Sequence, residues 1–256
     1  MFETIEYHIA DEGYALISLN RVEARNAISF QMTEELKEAL QQAREADIKC
    51  LVLTGNGTEA FCSGGDLNDF HWDMSDNEAF KALYSMKEVL YDLARFPVPT
   101  LAVLNGSALG GGCELATACD FRYGSPDGSY GFIQGQLGIT AGFGGGSLLY
   151  RRLPSLIAYQ MLVESEAYSA TKCVSIGWMQ DVFDPSDIKE EMKRLLEPFI
   201  SKSVEQLKEF KQQYIRFEFP ISLSADMDEE VRRCSTIWGN ALHKEVVDSF
   251  LSEKNS

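Results

Sequence analysis

The stretch Asn105-Gly106-Ser107-Ala108-Leu109-Gly110-Gly111-Gly112-Cys113-Glu114-Leu115 decides how this chain is read. It follows the apolar run Thr100-Leu101-Ala102-Val103-Leu104 and leads into residues of helical character, so its glycines lie at a strand-to-helix turn. Bare N–H groups at such a turn project from the positive end of a helix, where negative charge is favoured. A second stretch, Phe61-Cys62-Ser63-Gly64-Gly65-Asp66-Leu67, has the same setting after the short strand Cys50-Leu51-Val52-Leu53-Thr54. Two such turns facing one another can hold one developing oxyanion between two donors. Removing one such donor costs about 2.7–4 kcal/mol of transition-state stabilisation. Each feature also has a plain structural reading: a glycine turn, backbone crowding at the triple glycine, and a first-turn acid at Glu114. Their joint occurrence in this order is what points to a site.

Outward from these stretches, the chain alternates strand and helix. Ile5–Ile9 and Tyr14–Leu19 form an opening hairpin around Asp11-Glu12-Gly13. Residues 29–46 carry Met32, Leu36, Ala39, Leu40 and Ala43 at helical spacing, and residues 77–95 form a second helix that stops at Phe96-Pro97-Val98-Pro99. Residues 114–119 read as helix and Phe121-Arg122-Tyr123 as strand. Residues 124–146 are glycine-dense and irregular, and residues 147–163 read as one further helix. This is an α/β pattern. Residues 188–214 and 226–251 are instead rich in Glu, Lys and Leu, without strand-like runs. The expected organisation is therefore a core over residues 1–195 and a C-terminal helical region over residues 196–256.

Composition excludes several classes. A net charge of −16 opposes non-specific binding to nucleic acid or to an anionic membrane surface, so neither is expected as a partner. The six cysteines include no C-x-x-C pair, and the three histidines lie far apart, which argues for reduced thiols in a cytoplasmic protein and against a metal site. Residues 1–13 lack the charged and apolar regions of a signal peptide, and no run approaches the ~18 apolar residues of a membrane span. Gly55-Asn56-Gly57-Thr58-Glu59-Ala60 fits a loose dinucleotide-binding spacing but leads into another glycine turn rather than a long helix. Gly142-Phe143-Gly144-Gly145-Gly146-Ser147 lacks the lysine of a phosphate-binding loop, and no G-x-S-x-G elbow occurs. Ser63 or Cys62 as a nucleophile, with His71 as its base, is a minor reading.

Taken together, the motifs resemble the enoyl-CoA hydratase/isomerase family, the crotonase superfamily. Arg21-Val22-Glu23-Ala24-Arg25-Asn26-Ala27-Ile28 is similar to the family's R-P-x-x-x-N-A-L segment, with Val22 in the proline position. Residues 61–67 match A-F-S-A-G-x-D-L, and residues 105–115 match N-G-x-A-x-G-G-G-x-E-L. Leu137-Gly138-Ile139 with Gly142, Gly144 and Gly145 resembles L-G-x-x-P-G-x-G-G, with Ala141 in the proline position. The resemblance implies a crotonase-like spiral of ββα units with a C-terminal helical trimerisation region, hence a homotrimer or dimer of trimers. It implies that the N–H groups of Gly65 and Gly111 hold an acyl-CoA thioester carbonyl, with Glu114 as catalytic acid. Arg25, Ala27, Ser63, Asp66, Leu67, Asn68 and Gly110 would line the coenzyme A and acyl site, with Arg25 or Arg21 supplying local positive charge. Coenzyme A enters as part of the substrate, so no separate cofactor and no metal are expected.

One position departs from the hydratases. Twenty residues after Glu114, where they carry a second glutamate, this chain has Gln134, and no Asp or Glu occurs from 128 to 163. Gln cannot exchange a proton near neutral pH. Losing one acid/base group from a hydration costs about 10²–10⁴-fold. Efficient hydration is therefore not expected. A single acid suffices for isomerisation of an enoyl chain, and loss of CO₂ from a β-carboxyacyl-CoA needs no general base. Ser235-Thr236-Ile237-Trp238-Gly239 resembles a short T-V-W-G segment of the ethylmalonyl-CoA decarboxylase branch. A non-catalytic acyl-CoA-binding homologue is the alternative of a different class.

Overall fold

The structure is a computed structural model that describes residues 2–184, 186, 188–219 and 221–254. Its first sheet has six strands. β1 (Ile5–Ile9) and β2 (Tyr14–Leu19) form the antiparallel hairpin, with Ile5 opposite Leu19. Parallel neighbours follow in the order β3 (Cys50–Gly55), β5 (Thr100–Leu104), β7 (Phe121–Gly124) and β10 (Asp181–Val182). The central strands are apolar on both faces because both are covered. Leu51 and Leu53 of β3 join the main core, whereas Cys50 and Val52 face a second cluster with Phe183, Leu195, Leu196 and Phe199.

A second, four-stranded sheet consists of β4 (Ala60–Cys62), β6 (Ser107–Leu109), β8 (Ser129–Gly131) and β9 (Tyr168–Ser169). The chain winds as a spiral. Each turn places one strand in each sheet and then a helix: β3, β4 and α2 (Asp76–Ala94); β5, β6 and α3 (Gly111–Ala118); β7, β8 and α4 (Gly145–Arg152). This is the ββα spiral expected from the sequence. Before the first turn, α1 (Phe30–Glu45) starts at Ser29, whose hydroxyl accepts the Met32 N–H at 3.0 Å. Helix α2 starts at a capping box in which Ser75 and Glu78 satisfy one another's backbone N–H.

The helix expected over residues 147–163 is two: α4 and α5 (Ser155–Glu164). Pro154 lacks an N–H and forces Leu153 into extended backbone (φ −130°, ψ 155°), which breaks the run. After the short α6 (Ala170–Ser175), the C-terminal part is α7 (Ile188–Ile200), α8 (Val204–Glu218), α9 (Leu223–Ile237) and α10 (Ala241–Lys254). The boundary expected at 195/196 falls inside α7, whose Leu195 and Leu196 both pack against β3 and β5. Helix α9 lies along α2 and α4, where the nearly sealed Lys87 ammonium meets Asp228 at 2.6 Å. Residues 255 and 256 of the expected helical region lie outside the described residues. Among the described residues, no helix is long and apolar enough to cross a membrane.

Candidate active site

Short strands of the second sheet carry both glycine turns. After β4, the Ile28 N–H donates to the Gly64 carbonyl at 2.8 Å, and the Asp66 N–H donates to the Ile28 carbonyl at 2.8 Å. This bridge uses the groups on either side of Gly65 and leaves its own N–H without a partner among the described residues. After β6, the Gly110 N–H donates to the Gly131 carbonyl at 2.9 Å, and α3 begins at Gly111 with the free N–H of a first helical turn. The two turns lie close together: a Cβ built on Gly111 would lie 3.5 Å from the Gly65 nitrogen.

Close approach explains the glycines. A Cβ at Gly112 would stand 2.2 Å from the Cys62 carbonyl oxygen, so crowding is the reason for that residue. One at Gly111 would stand 2.4 Å from Cε2 of Phe143, which packs edge-on against Phe70 inside the cleft. Two buried asparagines fix the approach to β4. Asn26 Nδ2 donates to the Asn56 and Ala60 carbonyls at 3.0 and 2.9 Å. Asn105 accepts the Gly55 N–H at 2.9 Å and donates to the Gly57 and Ala60 carbonyls at 2.9 and 3.1 Å. Gly55 and Asn56 thereby spend their N–H groups on Asn105 and Leu19, not on a nucleotide phosphate.

Glu114, on the first turn of α3, is 2% exposed. Its Oε2 accepts the N–H groups of Phe143 and Gly145 at 2.9 Å each. Its Oε1 accepts Gly142 N–H at 3.3 Å and Gln134 Nε2 at 2.7 Å. Burial pushes the Glu114 carboxyl up, the nearby Glu230 carboxylate pushes it further, and the three backbone donors pull it back, leaving it at about 8. The shift favours its neutral form relative to an ordinary glutamate. Gln134 Oε1 is buried without a partner.

These groups open onto a cleft of about 690 Å³. The site residues that the family resemblance implies all line it: Gly65, Gly110, Gly111, Glu114 and Gln134, and also Arg25, Ala27, Ser63, Asp66, Leu67 and Asn68; Cys62 and His71 do not. Asp66 is held by Arg21 at 2.7 Å and by Asn68, whose N–H and side-chain amide both donate to it. Those donors hold its carboxyl below the usual range, against burial. Arg21 is thus committed to Asp66 and to the Ala27 carbonyl, whereas Arg25 is exposed and has no ion-pair partner among the described residues. The nucleophile reading fails. Ser63 Oγ donates to the Ala24 carbonyl, burial pushes the Cys62 thiol to about 12, and His71 pairs with Asp73.

A profile of the family described as Enoyl-CoA hydratase/isomerase matches residues 10–255. The chain belongs to the enoyl-CoA hydratase/isomerase family. It is 32% identical over 193 residues to a crotonyl-CoA hydratase of Syntrophomonas wolfei, covering 75% of this chain and 74% of that one. It is also 32% identical over 176 residues to an ethylmalonyl-CoA decarboxylase of Gallus gallus, covering 68% and 59%. In fold it matches the crystal structure of an enoyl-CoA hydratase from Bacillus halodurans with a TM-score of 0.88 at 19% identity, over 96% of this chain and 100% of that one.

In this enoyl-CoA hydratase/isomerase chain, the C-terminal helices fold back on their own core and close one wall of the cleft with Cys234, Trp238, His243 and Val246. His243 Nδ1 meets the Leu137 carbonyl at 2.8 Å, its ring lies 4.9 Å from that of Trp238, and burial pushes its pKa down. Sequence reasoning missed His243 and Glu230. Both lie on helices of the charged C-terminal region, and nothing local sets Glu230 apart within Asp226-Met227-Asp228-Glu229-Glu230.

Proposed function

We propose that this protein is an acyl-CoA enzyme that holds a thioester enolate oxygen between the N–H groups of Gly65 and Gly111 and moves one proton to or from the acyl chain with Glu114. The observation that carries this reading is the close approach of the Gly65 and Gly111 backbones beside one buried acid, Glu114. In the isomerase form, the Glu114 carboxylate takes a C2 proton from a 3-enoyl-CoA. The electron pair passes to the carbonyl oxygen, and the same proton returns at C4. Raising the acid to about 8 makes its carboxylate a stronger base than an ordinary glutamate. Gln134 orients Glu114 and has no proton to give, so hydration of a 2-enoyl-CoA lacks a second acid/base group.

A second reading is favoured by the charge of the site. With Glu114 protonated and Gln134 neutral, neither of these two side chains repels the carboxylate of a β-carboxyacyl-CoA, and the Asp66 charge is paired with Arg21. Its C–C bond would break to give CO₂ and the enolate, Glu114 would protonate C2, and Gln134 would orient the departing carboxylate. The likeness to an ethylmalonyl-CoA decarboxylase supports this reading.

Arg25 is our candidate for the coenzyme A phosphates, and coenzyme A arrives with the substrate, so no further cofactor is invoked. We also propose assembly as a homotrimer or dimer of trimers in the cytoplasm. Leu156 and Val163 on α5, 74% and 63% exposed, favour burial against another copy, and six free, buried cysteines suit a reducing compartment. The test is product analysis by mass after separate incubation with a 3-enoyl-CoA, crotonyl-CoA and ethylmalonyl-CoA. Turnover of the first or last, lost in Glu114→Gln, is the expected result. Tight binding without turnover of any would make the protein a binder. Rapid crotonyl-CoA hydration undiminished in Glu114→Gln would overturn the site.

A further inference from the structure

The turn formed by residues 142–147 serves two carboxylates, not one. Gly142, Phe143 and Gly145 donate to Glu114 of α3. The next groups donate to Glu230 of α9: Gly146 N–H to Oε1 at 3.0 Å, and Ser147 N–H and Oγ–H to Oε2 at 2.6 and 2.7 Å. The nearby cations are committed elsewhere. Lys87 of α2 pairs with Asp228 at 2.6 Å, Arg151 of α4 with Asp226 at 3.7 Å, and Arg233 of α9 with Glu229 at 2.7 Å. The remaining titratable groups around Glu230 are Tyr150 of α4 and Tyr159 of α5, which line its recess, and Cys234 of α9, whose thiol donates to the Thr140 carbonyl. None of these supplies positive charge.

Two negative charges on one turn repel, so such a pair retains one proton over a wide pH range. The seats are unequal. Glu114 is sealed, whereas Glu230 is partly exposed: burial pushes its carboxyl up, and two first-turn N–H groups of α4 and a hydroxyl pull it back toward the ionised form. We propose that Glu230 is a positioning residue for Glu114: as the charged partner on the shared turn, it keeps the proton on Glu114 and fixes the loop that aims it. The C-terminal helical region thereby sets the protonation of a group on the core. This proposal rests on Glu114 being the acid/base group.

The test titrates Glu114 by infrared spectroscopy on unliganded protein, using the carboxylic-acid C=O band that Glu114→Gln removes. Glu230→Gln is expected to lower the midpoint of that band by about 1 pH unit or more. Ser147→Ala, which weakens the seat of the Glu230 charge, should lower it less, in the same direction. If Glu230→Gln does not fold, Ser147→Ala alone decides. Midpoints unchanged in both variants would leave Glu230 a structural residue and overturn the proposal. Turnover of the acyl-CoA set by Glu114→Gln is measured alongside. Its persistence would instead overturn the acid/base reading, whatever the titration shows.

Discussion

Glu114→Gln separates what the site costs the fold from what it does. In the folded protein the acid sits at about 8, against 4.5 for the same group unperturbed. At ~1.4 kcal/mol per pH unit, ionising it in place costs the fold up to about 5 kcal/mol, an amount shared with Glu230 because the two titrate together. The sign follows from proton counting. Between those two values the folded state holds a proton that the unfolded state has released, so stability falls as pH rises through the window and the loss is complete above about 8. Glutamine carries no such charge. Its carboxamide oxygen can take the Phe143 and Gly145 N–H groups, and its NH2 can donate to Gln134 if that amide turns over to present the Oε1 now without a partner; only the long 3.3 Å contact from Gly142 N–H is lost. The variant should therefore gain stability relative to the parent by several kcal/mol between pH 5 and 8.5. Its turnover should fall by about 10²–10⁴-fold. Urea unfolding of both proteins at pH 5, 7 and 8.5 measures the first effect. A stability difference that stays constant with pH, or grows in the opposite direction, would refute the buried, proton-holding Glu114.

Three further outcomes follow. Gly111→Ala drives a Cβ to 2.4 Å from Phe143, so it should lower kcat/KM by about 10²–10³-fold, with circular dichroism unchanged. Asn105→Ala leaves the buried Gly55 N–H without its acceptor, while the Ala60 carbonyl keeps Asn26 and the exposed Gly57 carbonyl turns to water, costing about 1–3 kcal/mol, read as a lower urea midpoint. Arg25→Ala should raise KM for the coenzyme A ester several-fold, more at low than at high salt, and leave KM for the matching acyl-pantetheine unchanged. An equal effect on both esters would remove Arg25 from phosphate binding.

Most of the first sheet was legible, because β2, β3 and β5 are largely apolar runs of five or six residues and β1 pairs with β2 across a glycine turn, whereas the two-residue β10 left no pattern. The second sheet was not. Its strands are two or three residues long, too short to show a period, and they sit among glycines that read as turns. The glycine stretches nevertheless located the site, since close backbone approach leaves a mark in sequence: Gly111 and Gly112 have no room for a Cβ. Glu114 and Gln134 were legible by their positions in the motifs, and their amide–carboxylate contact was not. Asn26 and Asn105 stood inside the motifs, but their work as clamps on Ala60 appears only once the turns are folded. Glu230 and His243 were hidden for another reason. Each comes from a helix whose polar residues look solvated, and only tertiary packing turns those two inward.

The central claim, that Gly65 and Gly111 jointly polarise a thioester carbonyl, is tested most directly by isotope-edited infrared difference spectroscopy of bound crotonyl-CoA carrying ¹³C at the carbonyl. Two N–H donors on that oxygen predict a C=O stretch moved to lower wavenumber than in solution, with the shift diminished in Gly111→Ala. A bound thioester whose carbonyl absorbs as it does in free solution would contradict the claim.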